Sequence, residues 1–341
     1  MHKKTRKIFK ILLIIVFIWI VLAIVPRFKS YKGVNPLIVE EGKIPLLIAH
    51  GGGNREFPDN TLEAFYNAYN VDPNVMMETD VSITKDGVII LSHDITLDRK
   101  TSLTNAYIKD VLYSDLVNDE VDFGYENNID DDINTSGELI KYKDYLGNYV
   151  TPLDVNYPEG ITLRHESKFL VTTLEELIVS FPNNYINVEI KQSGEIGLKA
   201  LEEVIRLMDL LDNDYNTYER IVLASFHNEV YNEFKEIQKD NHKFMYSPER
   251  KGVTKFFILQ LSKLDLFYTD KVAVLQIPMK ESGFNLATKS LITASHRHNI
   301  AVHYWTIDEK DDILKLIEIG ADGIMTNIPS LLKEVYDEYK K

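Results

Sequence analysis

The groups able to do chemistry concentrate between His50 and Asp94. His50 closes an apolar run and opens into Gly51-Gly52-Gly53, backbone that can approach a ligand closely. Glu78 and Asp80 stand two apart in an apolar segment, so on a strand both carboxylates face the same way. Asp86-Gly87 is a hairpin signal; a two-residue turn there pairs Lys85 with Val88 and sets Asp80 opposite His93. Glu189 and Lys191 repeat the two-residue spacing in a second apolar run. Carboxylates inside apolar strands need a partner, and a hard divalent cation supplies one. Three carboxylates, a lysine and two histidines at one rim suit hydrolysis of a phosphate ester. The cation and Lys191 would neutralise oxyanion charge while His50 and His93 move protons.

The elements that must hold these groups follow from periodicity. Apolar runs resembling strands end at His50, Asp80, Lys191, Phe226, Ser247, Pro278, Ile307 and Asn327. Helical patterns follow most of them, over Ile196 to Leu211, Glu229 to Gln238, Leu286 to His298 and Asp311 to Ile319. Eight strands alternating with helices predict an α/β fold, a parallel (β/α)8 TIM barrel over residues 44–335. Val88 to His93 reads as the return leg of a hairpin rather than a barrel strand. Residues 101–168 break the rhythm with fourteen acidic and five basic residues and the run Asp130-Asp131-Asp132. This stretch reads as an acidic, solvated insertion on the barrel rim.

Composition narrows the function further. With no cysteine among 341 residues, disulfide scaffolds, thiolate metal sites and cysteine nucleophiles are excluded. The net charge of −14 divides unevenly: residues 1–33 carry eight basic and no acidic side chains. The remainder holds 30 basic against 52 acidic residues, a net of −22, which repels nucleic-acid phosphates. Residues 1–10 form a basic head, and fifteen apolar residues follow from Ile11 to Val25. Extended by neighbouring apolar residues, with Lys10 and Arg27 snorkelling, residues 11–28 read as one transmembrane signal anchor. No small-residue cleavage site follows it, which favours an uncleaved anchor over a signal peptide. Five basic residues precede the core and three follow, so the N-terminus is expected inside and the barrel outside the cytoplasmic membrane. Residues 29–43 read as a tether.

The motifs, taken in order, resemble the glycerophosphodiester phosphodiesterase family. They are Ile48-Ala49-His50-Gly51-Gly52, Pro58-Asp59-Asn60-Thr61-Leu62-Glu63-Ala64-Phe65 and the whole Glu78 to Asp94 segment. Thr173-Leu174-Glu175-Glu176, Glu189-Ile190-Lys191, Ser225-Phe226, Tyr304-Trp305-Thr306-Ile307 and Gly320 to Pro329 continue the set. The resemblance spans about residues 44–335 and implies a TIM-barrel hydrolase that cleaves glycerophosphodiesters to sn-glycerol 3-phosphate and an alcohol. It implies that Glu78, Asp80 and Glu189 bind Ca2+ or Mg2+ and that His50 and His93 act as general acid and base. It further implies that Lys191 contacts phosphate, that Phe226 and Trp305 line the glycerol side, and that the substrate's 2-hydroxyl forms a cyclic phosphate. One departure stands out: Gly51 occupies the place of the family's usual arginine. Arg55 swinging in, or glycine N–H groups, are the expected substitutes.

Three substrate classes stay open: a soluble headgroup diester, a lysophospholipid, and a glycerol-phosphate wall polymer. Two other readings stand beside the hydrolase, a phospholipase C-like enzyme and a catalytically weak binding module that lacks the arginine. His227, His296, His298 and His303 read as structural or exposed, and Ser225 lacks a nucleophile-elbow motif.

Overall fold

The computed structural model describes residues 2–124, 142–239 and 244–340. The strands are Leu46–Ala49 (β1), Met76–Ile83 (β2), Ile89–Leu91 (β3), Ile186–Ile190 (β4), Ile221–Ala224 (β5) and Met245–Tyr246 (β6). Val274–Ile277 (β7), Lys280–Glu281 (β8), Phe284–Asn285 (β9), Ala301–Tyr304 (β10) and Gly323–Thr326 (β11) complete the set. Eight of them run parallel in the order β6-β5-β4-β2-β1-β11-β10-β7. The Ala273 amide donates to the Tyr246 carbonyl at 3.0 Å and closes the gap between β6 and β7. The result is the expected (β/α)8 barrel, and the eight predicted runs are its eight strands.

Helices cover the barrel because their apolar residues recur on one face. Gly194–Tyr215 buries Ala200, Leu201, Val204, Leu207 and Met208, a spacing of three and four. Gly52 is fixed by the same packing, since a Cβ there would lie 2.7 Å from the Cβ of Ala64 on helix Leu62–Val71.

The hairpin register differs from expectation. β3 pairs antiparallel with β2, but Ile83 faces Ile89 and Val81 faces Leu91, one residue out of the predicted pairing. Thr84 causes the shift. Its amide donates to the Val88 carbonyl at 2.9 Å, and its hydroxyl donates to Asp86 Oδ1 at 2.7 Å. Lys85, Asp86 and Gly87 therefore form a three-residue turn, and Ser92 rather than His93 bonds across to Asp80.

The N-terminal expectation is also corrected. Among the described residues no helix is long and apolar enough to cross a membrane. His2–Ile24 is one continuous helix, so the basic head is part of it, and it stops short of residue 28. Arg27 does not snorkel: it is buried, with Nε donating to Asp265 Oδ2 at 2.8 Å and an Nη to Oδ1 at 3.2 Å. A snorkelling Arg27 therefore does not extend the apolar run Ile11–Val25 towards residue 28, against about 20 residues for a span. Large apolar side chains along that helix are nonetheless exposed, from Ile8 to Ile24.

The segment read as a tether belongs to the barrel. Asn35 Nδ2 donates to the Ala273 and Asn299 carbonyls, and the Val39 amide donates to Asp322 Oδ1 at 2.9 Å. Leu37 is fully buried among Ile48, Met76, Val222, Met245, Val274, Ala301 and Met325, and plugs the end where the strands begin. Of the acidic stretch, residues 101–124 and 142–168 are described; the first part packs beside β3, with Ile108, Leu116 and Phe123 buried around Ile90 and Leu97, and the second lies against residues 54–70, where the Tyr145 amide donates to the Arg55 carbonyl and Tyr157 meets Tyr66 edge to face. The Asp130-Asp131-Asp132 run lies outside the described residues.

Leu37→Ala is expected to cost about 2–5 kcal/mol, the range for emptying a buried leucine site. Urea unfolding of the full chain measures it. An unchanged midpoint would show that the plug is not part of the folded core.

Candidate active site

The site forms where β1, β2 and β4 end together. Asp80 and Glu189 are register partners on adjacent strands, and Glu78 lies one pleat back on the same face of β2. One ligand oxygen from each of Glu78, Asp80 and Glu189 lies within 4.8 Å of the other two, so the triad could hold a metal ion. Glu78 and Asp80 are buried. Lys191 sits against two of the acids, with Nζ 2.9 Å from Glu189 and 3.3 Å from Asp80.

Crowding of like charge out of water sets the electrostatics. Burial, then the Asp80 charge, pushes the Glu78 carboxyl up to about 8, with His50 and the Gly51 amide pulling the other way. Burial and Asp80 raise Glu189 too, against the opposing pull of Lys191. Burial lowers the Lys191 ammonium, but Asp80 and Glu189 outweigh it and hold it above the ordinary lysine value.

His50 opens a single helical turn, His50–Gly52, directly after β1. Its Nδ1 lies 2.7 Å from Asn327 Oδ1. Asn327 Nδ2 is engaged by Asp308 Oδ2 at 2.7 Å, so the amide oxygen accepts and His50 Nδ1 donates. That leaves Nε2 for the site, where it stands 4.0 Å from Glu78. Burial pulls the imidazole down, but Glu78, Asp80 and the Asn327 bond more than offset it.

His93 lies beyond the end of β3, half exposed, because the shifted register places it past the last strand pair. It is held by its neighbour: Nδ1 lies 2.9 Å from Asp94 Oδ1, while Arg99 Nε donates to Asp94 Oδ2 at 2.5 Å. The Asp94 bond raises the imidazole above its usual value, with Asp80 acting in the same direction. The same bond, helped by Arg99, holds Asp94 down at about 2.

A cleft of about 170 Å³ opens beside the triad, lined by His50, Glu78, Glu189, Phe226, Gln276 and Trp305 among others. Phe226 and Trp305 meet edge to face in its wall, ring centres 6.3 Å apart. The expected substitutes for the missing arginine are engaged elsewhere. Arg55 turns to Asp308 at 3.8 Å, and the Gly51 amide donates to Glu78 at 2.9 Å. Gly51 has φ of +56°, and a Cβ there would lie 2.9 Å from the Asp59 Cβ, so any larger residue requires the Pro58-Asp59-Asn60 loop to move.

His227, His296, His298 and His303 have structural partners or are buried. His227 Nε2 lies 2.9 Å from the Lys191 carbonyl, and His296 and His298 pair with Asp322 and Asp265 at the far end of the barrel. His303 is fully buried, and burial pulls its imidazole down to about 4. Ser225 donates to the Ile190 carbonyl.

Four supporting residues escaped the sequence reading. Asn60 bonds both Asp59 and Asp80, Asn327 with Asp308 fixes His50, and Arg99 links Asp94 to Asp59, 3.5 Å away. Asn60 and Asn327 lay inside quoted motifs, yet an amide carries no charge signal that marks it as functional.

The chain is similar to known proteins. The sequence profile of the Glycerophosphoryl diester phosphodiesterase family matches residues 50–331. Lysophospholipase D GDPD1 of Homo sapiens is 25% identical over 319 residues, covering 84% of each chain. Glycerophosphodiester phosphodiesterase of Caldanaerobacter subterraneus is 26% identical over 292 residues, covering 84% of this chain and 96% of its own. A solved phosphodiesterase of Oleispira antarctica, in complex with the product sn-glycerol-3-phosphate, superposes with a TM-score of 0.58. At 20% identity over 86% of this chain and 97% of that one, it shows a shared fold.

Cation uptake by the triad should displace the proton that Glu78 holds near neutral pH. Calorimetric titration with Ca2+ or Mg2+ at pH 7 is expected to give an enthalpy that changes with the buffer's ionisation enthalpy. A buffer-independent enthalpy would overturn the protonated state of Glu78. In the cation-free protein a raised carboxyl stabilises the fold below pH 4.5, and that stabilisation falls away as pH rises towards 8.

Proposed function

Because the chain belongs to the glycerophosphoryl diester phosphodiesterase family, we propose that it hydrolyses glycerophosphodiesters to sn-glycerol 3-phosphate and an alcohol. In this reading Glu78, Asp80 and Glu189 hold Ca2+ or Mg2+, and His50 and His93 move the protons. The observation that carries it is the convergence of three carboxylate oxygens within 4.8 Å beside two histidines of raised pKa. A bound cation supplies charge neutralisation to the phosphate oxygens.

The chain's own groups do the rest. One histidine takes the proton of the glycerol 2-hydroxyl as that oxygen attacks phosphorus. The other gives a proton to the departing alcohol oxygen as its bond to phosphorus breaks. Water then opens the cyclic phosphate at the 2-oxygen with the two roles exchanged, leaving the phosphate on the 3-oxygen. Lys191 stabilises negative charge on the phosphate, and Phe226 and Trp305 give the glycerol carbons an apolar wall. Asp94 keeps His93 Nδ1 engaged, which leaves Nε2 to exchange protons.

The name carried by the human relative favours a second substrate within the same chemistry, a lysophospholipid cleaved at the alcohol side of its phosphate. The exposed apolar side chains from Ile8 to Ile24, together with five basic residues before the apolar run, support attachment of this helix to the cytoplasmic membrane.

His50→Ala and Glu78→Ala are each expected to lower glycerol 3-phosphate release from a diester panel by about 100-fold or more. Full activity in either variant would overturn the assignment, and loss of activity on chelation tests the cation. Asp94→Asn leaves an acceptor for His93 Nδ1 but removes the carboxylate charge that raises His93, so the pH limb belonging to His93 should move to lower pH. An unmoved limb would separate Asp94 from catalysis.

A further inference from the structure

Asp265 lies at the end of the barrel opposite the cleft, where the strands begin. It is buried and gathers Arg27, Arg297 at 3.1 Å and His298 at 3.3 Å. The His298 carbonyl accepts from the Ser30 amide at 2.8 Å, and its Nδ1 lies 2.9 Å from the Phe28 carbonyl. Trp19, on the N-terminal helix, donates Nε1 to the Ser262 carbonyl at 3.0 Å. The helix is thus rooted at one fixed place on the barrel, at the C-terminal end of helix Arg250–Leu261 and the turn Asp265–Phe267.

Around that root the barrel exposes large apolar side chains. Ile258, Leu261 and Phe267 are 58%, 57% and 55% exposed, and Phe28 on the connecting segment is 44% exposed. They continue the exposed apolar side chains of the helix itself, from Ile8 to Ile24. An uncovered apolar surface of this extent marks an interaction site. The exposed charge on the two segments that carry these side chains is of one sign. In residues 25–34 and 258–267 the exposed charged side chains are Lys29, Lys32 and Lys263, and the one acid, Asp265, is buried. This contrasts with the net −22 carried beyond residue 33.

We propose that this end of the barrel rests on a bilayer surface bearing anionic headgroups, with Phe28, Ile258, Leu261 and Phe267 entering the interface and Lys29, Lys32 and Lys263 meeting the headgroups. Apolar side chains beside lysines are the composition that binds such an interface. The proposal rests on attachment of the N-terminal helix to lipid and goes beyond it by fixing the barrel's orientation. The cleft opens at the opposite ends of the same strands, so it faces water and takes its diester from the aqueous side.

The chain contains no cysteine, so one introduced thiol is labelled uniquely. Full-length Phe267→Cys, Ile258→Cys and Ser282→Cys variants, carrying an environment-sensitive fluorophore, are mixed with phosphatidylglycerol–phosphatidylcholine vesicles. Ser282 lies in the turn between β8 and β9, on the cleft side. Blue-shifted emission and several-fold stronger quenching by lipid-borne nitroxide are expected at 267 and 258 than at 282, weakening in purely zwitterionic vesicles. Vesicle-bound protein in which the 267 and 258 probes stay as aqueous as the 282 probe overturns the orientation alone. Protein that fails to sediment with vesicles overturns the helix attachment and the orientation with it.

Discussion

Three carboxylates held within 4.8 Å of one another repel, and the mouth of this barrel is organised around that repulsion. Removed from water, such a cluster needs positive charge or protons. The protein supplies several partial answers: the Lys191 ammonium on two of the acids, a proton on Glu78, the Gly51 amide, and the Asn60 side chain on Asp80. Each is a side-chain charge, a dipole or a mobile proton, so a divalent cation could replace much of this compensation with little movement of the backbone. The same negative cluster raises His50, and through Asp80 it contributes to raising His93. Metal affinity, proton inventory and histidine charge are therefore one coupled property of this rim.

The barrel was readable in the sequence because its signals are local. Eight apolar runs and the helices after them repeat a pattern that burial on both faces of a parallel sheet requires. Glu78, Asp80 and Glu189 were legible for the same reason, since a charged residue inside an apolar run is conspicuous. The histidine opposite Asp80 was not. Its predicted position depended on whether the turn held two residues or three, and one Thr84 hydroxyl settled that by bonding to Asp86. A shift of one residue exchanges every facing pair in a hairpin. His93 instead lies past the strand end, half exposed and held by Asp94.

The expected transmembrane span is unsupported for a different reason. Hydropathy treats Arg27 as a flank to an apolar segment, and no local pattern reveals that Asp265, far along the chain, will pair with it. Likewise Leu37 sits among prolines and glycines that signal a loose connection, yet it fills the barrel's lower interior. Long-range pairing and plugging are tertiary facts. Gly51 belongs with them: its absent side chain looked like a lost contact, whereas the fold shows a left-handed residue whose Cβ space Asp59 already fills.

The Arg27–Asp265 pair and the Leu37 plug have a mechanical meaning. A pull along the N-terminal helix is delivered first to a buried ion pair and then to the barrel's own packing, with no slack segment between to extend. Helix and barrel would translate and turn together, without the wide tumbling cone that a flexible leash allows. The cleft would then sweep a thin layer at a fixed height above whatever surface holds the helix. Its encounter rate with substrate would be governed by concentration in that layer and by two-dimensional diffusion of the whole chain.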